Sequence, residues 1–261
     1  MRDEEREGTL LREIRAIRSQ LDDLEEQLEE AARHVARSAT GLVPTFVEGL
    51  DTALGGGIPE GHVVLLHGPT GTMKTSLALY VLAKNRAQGM RCLHLTLEED
   101  RASLRRTLAG LGLEREDFIV DIATLRAEHG LAEEAGDWLD ILLGYLERKA
   151  QDGLDLLALD PLDALFDMAR IRAPRQALFR FFRFLRDAGI TALLIIEDGA
   201  FPYGEDRVAD GVLEVAPREL EGGLVALWIR CVKLRHAAHS RDFHRLEFRD
   251  GVFRARPLLS L

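Results

Sequence analysis

Apolar and polar positions alternate along this chain in three distinct rhythms. In the first 38 residues Leu10, Ile14, Ile17, Leu21, Leu24, Leu28, Ala31 and Val35 follow one another at spacings of four and three. That is a heptad repeat, with Ile14, Leu21, Leu28 and Val35 at a and Leu10, Ile17, Leu24 and Ala31 at d. A single amphipathic helix folding back on the rest of the chain is the alternative, but strict a/d spacing over about four heptads favours a coiled-coil helix. Ser38 to Gly41 breaks the repeat, so residues 1–38 and 39–261 read as two domains.

From Leu42 onward short apolar runs alternate with helical periods. The runs Val63–Leu66, Cys92–Leu97, 154–160 and 191–198 are nearly continuous, as in strands covered on both faces. Helices are expected over 74–88, 100–111, 132–150 and 174–187, with a short strand at 118–122. In the last of these helices Leu178, Phe181, Phe182 and Leu185 form a stripe that reads as packing. Residues 200–210 read as a loop, and strands follow at 211–216 and 224–235. Two alternating runs then flank Asp250-Gly251, a hairpin signal. The fold class is therefore α/β with a mainly parallel central sheet, a C-terminal β-hairpin and an N-terminal coiled-coil helix.

Where the run Val63–Leu66 ends, the chain reads GHVVLLHGPTGTMKTS, residues 61–76. An apolar strand passes through small residues into a helix, the layout of a phosphate-binding loop. Gly68, Pro69, Thr70, Gly71, Thr72, Met73, Lys74, Thr75 and Ser76 would cradle the phosphates of ATP. Gly68 and Gly71 let the backbone curl so that N–H groups point at one anion, and the helix start adds partial positive charge. Lys74 would reach the β and γ phosphates and Thr75 would hold Mg²⁺. Met73 stands where the pattern G-x-x-x-x-G-K-[ST] has its second glycine. Taken alone, the stretch also fits a strand-to-helix turn that binds nothing.

Carboxylates close two other runs. Glu98 and Glu99 follow a strand expected beside the phosphate-loop strand, where one of them would deprotonate the attacking water. They read equally well as the acidic start of the next helix. Asp160 ends the run LDLLALD in the position that holds Mg²⁺ through water.

Composition narrows the field. At 261 residues and 46% hydrophobic the chain can bury one full core with an appendage. No apolar run approaches the ~18 residues of a membrane span, and the charged start MRDEEREG is unlike a signal peptide. Cys92 and Cys231 lie far apart without a CxxC and read as buried thiols of a reducing cytoplasm. The eight histidines show no metal-ligand spacing. A net charge of −10 argues against nucleic acid as a partner, against a single basic patch at Arg170, Arg172 and Arg175. Of 34 basic residues only Lys74, Lys84, Lys149 and Lys233 are lysine, and two of these four fall where a phosphate would take a point charge.

The stretches FVEGLDTALGGGIPEGHVVLLHGPTGTMKTSLAL, TLEEDRASLRRTLAGLGL, LLALDPLDAL and CVKLRHAAHS, in this order, resemble the KaiC-like branch of the RecA/RadA superfamily of ATPases over about residues 42–258. The resemblance implies a RecA-like core that binds ATP and Mg²⁺ at the interfaces of a homo-oligomer, often a hexameric ring. It makes Lys74 and Thr75 the phosphate-loop pair, Glu98 and Glu99 the catalytic carboxylates and Asp160 the Mg²⁺ residue. Lys233 and Arg235 match the family's K-x-R and would reach the γ-phosphate of the neighbouring subunit, and His239 matches the histidine of KLRGTSH. Departures are Met73, Pro161 in place of Ser, and His236-Ala237-Ala238 in place of Gly-Thr-Ser. The segment Glu197–Val215, where the clock kinases of this branch carry their phosphorylated Ser and Thr, contains neither residue. The expected function is an ATP-hydrolysing regulatory or assembly switch whose coiled coil engages a protein partner. A DNA-binding recombinase paralogue and a non-hydrolysing scaffold are the alternatives.

Overall fold

The unbroken apolar runs have a structural cause: they fill the middle of one large sheet that is covered on both sides. The computed structural model describes residue 18 and residues 41–257, apart from 114–115, 130–137, 170–172 and 198–200. The heptad segment 1–38, save Arg18, therefore lies outside the described residues, as do Arg170 and Arg172. The chain divides into two units, Met1–Gly41 and Leu42–Leu261, and the second is an α/β unit.

In chain order its elements are β1 Leu42–Val43, α1 Leu50–Ala53, β2 Ile58–Pro59, β3 Val63–Gly68, α2 Lys74–Arg86, β4 Cys92–Thr96, α3 Arg101–Gly110, β5 Ile119–Asp121, α4 Ile122–His129 and α5 Trp138–Gln151. There follow β6 Leu156–Asp160, α6 Leu162–Ala169, α7 Pro174–Asp187, β7 Thr191–Glu197, α8 Glu205–Val208, β8 Gly211–Glu219, β9 Val225–Leu234, β10 His244–Arg249 and β11 Val252–Pro257. Nine strands form the main sheet in the order β11-β10-β9-β8-β3-β7-β6-β4-β5. From β8 to β5 all neighbours are parallel, and β9, β10 and β11 add an antiparallel edge. Asp250 and Gly251, at φ 54 and 74, turn the chain between β10 and β11.

Each central strand feeds two cores. Val64 and Leu66 of β3 point to the side of α2 and α3, where Leu77, Val81, Leu104 and Leu108 pack. Val63 and Leu65 point to the other side, against Leu142 and Leu146 of α5 and the stripe Leu178, Phe181, Phe182 and Leu185 of α7. The same division holds in β6 and β7. With both faces buried, period two has no polar partner to alternate with. Cys92 and Cys231 are free and buried, and burial pushes the Cys231 thiol up to about 12. Among the described residues no helix is long and apolar enough to cross a membrane.

Three features depart from the pattern-based expectation. The strand carrying Glu98 and Glu99 is not beside the phosphate-loop strand: β3 lies between β8 and β7, and both β7 and β6 separate it from β4. Chain order does not dictate sheet order, because a right-handed crossover can carry a later strand to either side. Helix α4 begins where a strand was expected to continue, with the Asp121 carboxylate accepting from Thr124 N at 2.7 Å. Helix α8 occupies a stretch read as loop, α6 falls where no element was expected, and the helix expected over 132–150 is described as Trp138–Gln151.

Candidate functional site

The loop after β3 is shaped by two glycines with different duties. A Cβ on Gly68 would lie 2.0 Å from Val215 O of β8, so the strand pairing itself excludes a side chain there. Gly71 has open space around it but holds φ at 82, where L residues are strained. Thr72 Oγ1 donates to Pro69 O at 2.7 Å, and Thr70 Oγ1 donates to Glu197 Oε2 at 3.3 Å. Lys74, 5% exposed, donates from Nζ to Gly68 O at 2.7 Å and Pro69 O at 3.0 Å, so its ammonium is held at the loop. Ser76 lies in the first turn of α2, whose 13 residues aim their N-terminus at the same loop.

Thr75 Oγ1 donates to Asp160 Oδ2 at 2.6 Å. Burial, with a smaller contribution from Glu99 and Glu197, pushes Asp160 up to about 6 against the pull of Thr75 and Lys74. Glu99 thus stands close enough to Asp160 to be felt, although its strand is three places from β3. Its backbone N–H donates to Thr96 Oγ1 at 3.0 Å and its Oε2 accepts from Ser103 Oγ at 2.8 Å. Glu98 is exposed, and Asp100 caps α3 by accepting from Ser103 N at 2.6 Å. Glu99 is exposed as well, so of the three acids Asp100 caps the helix, Glu99 bonds to Ser103 in its first turn, and the charge of Glu99 is felt at Asp160.

Lys233, Arg235 and His239 are not brought to this loop. Gly211 pairs with both Val64 and Leu234, so the end of β9 is level with the start of β3. From there to Gly68 is about 13 Å along the strand and about 10 Å across the sheet. Lys233 Nζ donates to Asp206 O at 2.8 Å and Ala209 O at 2.7 Å, and Arg235 Nη1 lies 3.4 Å from Asp210 Oδ1. Burial and the Arg235 charge hold Lys233 below the usual lysine range, against the opposing pull of Asp210 and Asp206. His239 Nδ1 lies 3.3 Å from Ala237 O, its Nε2 is buried with no partner among the described residues, and the next residue donates from Ser240 N to Ala53 O at 2.8 Å.

Comparison with known proteins decides the family. The family described as ATPase: KaiC matches residues 43–255. This chain belongs to the KaiC family of ATPases. It is 27% identical over 240 residues to a UPF0273 protein of Methanopyrus kandleri, covering 84% of this chain and 93% of that one. It is 26% identical over 232 residues to the circadian clock protein KaiC2 of Synechocystis, covering 84% of this chain and 40% of that longer one. A crystal structure of a KaiC-like protein from Pyrococcus horikoshii superposes with a TM-score of 0.71 at 27% identity, covering 83% of this chain and 99% of that one. The fold is accordingly RecA-like, and the family makes the protein an ATP-binding ATPase.

Two departures from the KaiC-family motifs share one conformation. Met73, in place of the second loop glycine, takes φ 63, and His236, in place of the glycine of the KLRGTSH motif, takes φ 59. Both keep the left-handed backbone that glycine would adopt without strain. Met73 also packs against the core beside α2. One residue of the site escaped sequence reasoning. Glu197 ends β7, pairs with Gly68, accepts from Thr70 and raises Asp160. The run TALLIIE ends in an acid just as the other two runs do, and that was the available signal.

The oxygen-only donor set of Thr75 and Asp160 fits Mg²⁺. Among the described residues no three His, Cys, Asp or Glu side chains are grouped to hold a metal alone.

Proposed function

We propose that the protein hydrolyses ATP at interfaces between identical subunits, each site using the loop of one chain and the Lys233–Arg235 pair of the next. The observation that carries this reading is the register that sets Leu234 level with Val64, at the opposite end of β3 from Lys74. Lys74 and the Lys233–Arg235 pair lie towards opposite ends of β3, so a phosphate bound at the loop of one chain would meet that pair only on a second chain. In this reading the working form is a homo-oligomer.

In the proposed reaction the loop amides and Lys74 bind the phosphates, and Thr75 with Asp160 holds Mg²⁺. Bound there, Mg²⁺ would neutralise charge on the β and γ phosphates. Glu98 or Glu99 orients a water and accepts its proton as it attacks the γ-phosphorus in line. Lys233 and Arg235 of the neighbouring chain stabilise the charge on the transferred group. The phosphoryl group passes to water and not to a side chain, because Glu197–Val215 offers no Ser or Thr. The wider role we infer is a cytoplasmic regulatory or assembly switch, with residues 1–38 as a coiled coil that binds a protein partner. The clock function named for the Synechocystis relative is in keeping with such a role.

Mixing a Lys74→Ala chain with an Arg235→Ala chain tests the shared site. Each variant alone should be inactive, while the mixture regains activity at interfaces that pair one intact loop with one intact cation pair. Absence of recovery after verified subunit exchange would sink the reading. Mass measured with and without ATP·Mg²⁺ should show nucleotide-dependent assembly.

A further inference from the structure

At the start of β3 a single buried carboxylate gathers the end of β9, helix α7 and the strand that leads to the phosphate loop. Asp210 Oδ2 accepts from Val63 N at 3.1 Å and Arg186 Nε at 2.8 Å. Its Oδ1 accepts from Arg186 Nη2 at 3.2 Å and Arg235 Nη1 at 3.4 Å, and its carbonyl oxygen accepts from Arg235 N at 2.8 Å. The carbonyls beside it complete the seat: Asp206 O and Ala209 O take Lys233 Nζ, and Arg207 O takes Arg235 Nη2 at 3.2 Å. Residues 206–210 thereby hold both cations of the K-x-R pair.

A long cationic side chain that is free in solution loses rotamer entropy when it docks on a phosphate, and that loss is subtracted from what it contributes. One already held loses less. The Asp210 contact to Arg235 is the longest of the carboxylate's four, and Arg186 makes the two shorter guanidinium bonds. Arg186 therefore takes most of the neutralisation, and Arg235, 46% exposed, retains charge for an incoming anion. We propose that Asp210 is a positioning residue for Arg235, fixing it beside Lys233 at the end of β9 so that the pair meets the neighbouring subunit's γ-phosphate already oriented. This rests on the shared-site reading above.

The test uses the full-length chain and Asp210→Asn, which keeps the side-chain volume and an acceptor for Val63 N but removes the charge that seats Arg235. The expected result is a kcat lower by about 10- to 100-fold, with KM for ATP within about twofold, because misplacement of a transition-state group costs turnover more than ground-state binding. A residue that only braced the fold would lower kcat and melting temperature together and would belong to neither half-site. In mixtures, Asp210→Asn should regain activity with Lys74→Ala and none with Arg235→Ala, placing it in the same half-site as Arg235. Any other pattern of recovery, or a kcat within twofold of the native chain, overturns the proposal. The Lys74→Ala with Arg235→Ala mixture serves as reference: if it too fails, the shared-site reading falls and takes this proposal with it. If it recovers and Asp210→Asn does not follow, the positioning role alone is wrong. Should the amide variant fail to fold, Asp210→Glu, which keeps the charge but displaces it by one methylene, is expected to give the same grouping.

Discussion

The two ends of strand β3 carry opposite electrostatic imbalances. At the C-terminal end, Glu99 and Glu197 add negative charge beside Asp160, and one ammonium, Lys74, opposes them. At the N-terminal end, Arg186, Arg235 and Lys233 surround one carboxylate, Asp210. The same side chain therefore behaves differently at the two ends. Burial raises both aspartates, but at Asp160 the neighbouring carboxylates add to it, up to about 6, whereas at Asp210 the hydrogen bonds from Arg186 and Val63 N and the charges of Arg186 and His62 together outweigh it and the pKa falls below the usual range. An end with surplus negative charge suits a divalent cation, and an end with surplus positive charge suits a phosphate. The proposed shared site would join one end of each kind.

Breaking the acidic end should have the largest effect. Glu98→Gln with Glu99→Gln removes the proposed base and should lower turnover by about 10²- to 10⁴-fold while ATP binding stays intact. Wild-type hydrolysis by the double variant would remove both residues from the mechanism. Glu197→Gln, tested beside it, should lower turnover less, since Glu197 bonds to the loop through Thr70.

His94, in the middle of β4, shows what burial does with no opposing partner. It is fully buried, neither ring nitrogen has a partner among the described residues, and burial pushes it down to about 3. The folded state thus binds a proton less readily than the unfolded state, whose value is 6.5. Stability should be full above about pH 6.5 and fall progressively towards pH 3, by on the order of 5 kcal/mol. His94→Leu should flatten that decline between pH 7.5 and pH 5 in urea titrations. An unchanged slope would locate the acid sensitivity elsewhere.

Asp160→Asn should separate stability from function at the acidic end. The raised pKa means that the charged carboxylate is a cost above about pH 6, and that this cost fades as the pH falls from there towards 3.8. In Mg²⁺-free buffer at pH 7.5 the variant should be more stable by about 2 kcal/mol, with no gain near pH 4, and it should not hydrolyse ATP. A lower melting temperature at pH 7.5 would mean that the Thr75 hydrogen bond outweighs the burial cost.

The smallest effect concerns Met73. Met73→Ala keeps the left-handed strain and loses packing, whereas Met73→Gly loses packing but relieves the strain. Glycine should therefore exceed alanine in stability by about 1 kcal/mol, read from thermal melts, with both variants retaining ATP binding. The reverse order would mean that the loop backbone relaxes out of φ > 0 when the thioether is gone.

Much of the candidate site was legible because its signals are local. A strand, small residues and a helix in 16 consecutive positions suffice to predict a phosphate loop, and Lys74 and Thr75 are indeed found at the start of α2 beside Asp160. The apolar runs predicted a sheet covered on both faces, because an element's own periodicity reports how many of its faces are buried. Sheet order was not legible. Short apolar strands pair about equally well with many neighbours, and only long-range packing of all the helices selects one arrangement. That selection put Glu197 next to Gly68, moved Glu98 and Glu99 three strands away, and left Asp160 between them as the link. It also set Arg235 at the far end of β3 and gave Asp210 its ring of cations. The sequence by itself determined which chemical groups this ATPase carries and the local shape of its phosphate loop, since both depend on near neighbours in the chain. Only the tertiary structure decided which groups share an end of the sheet, because strand order and register join residues that are far apart in sequence.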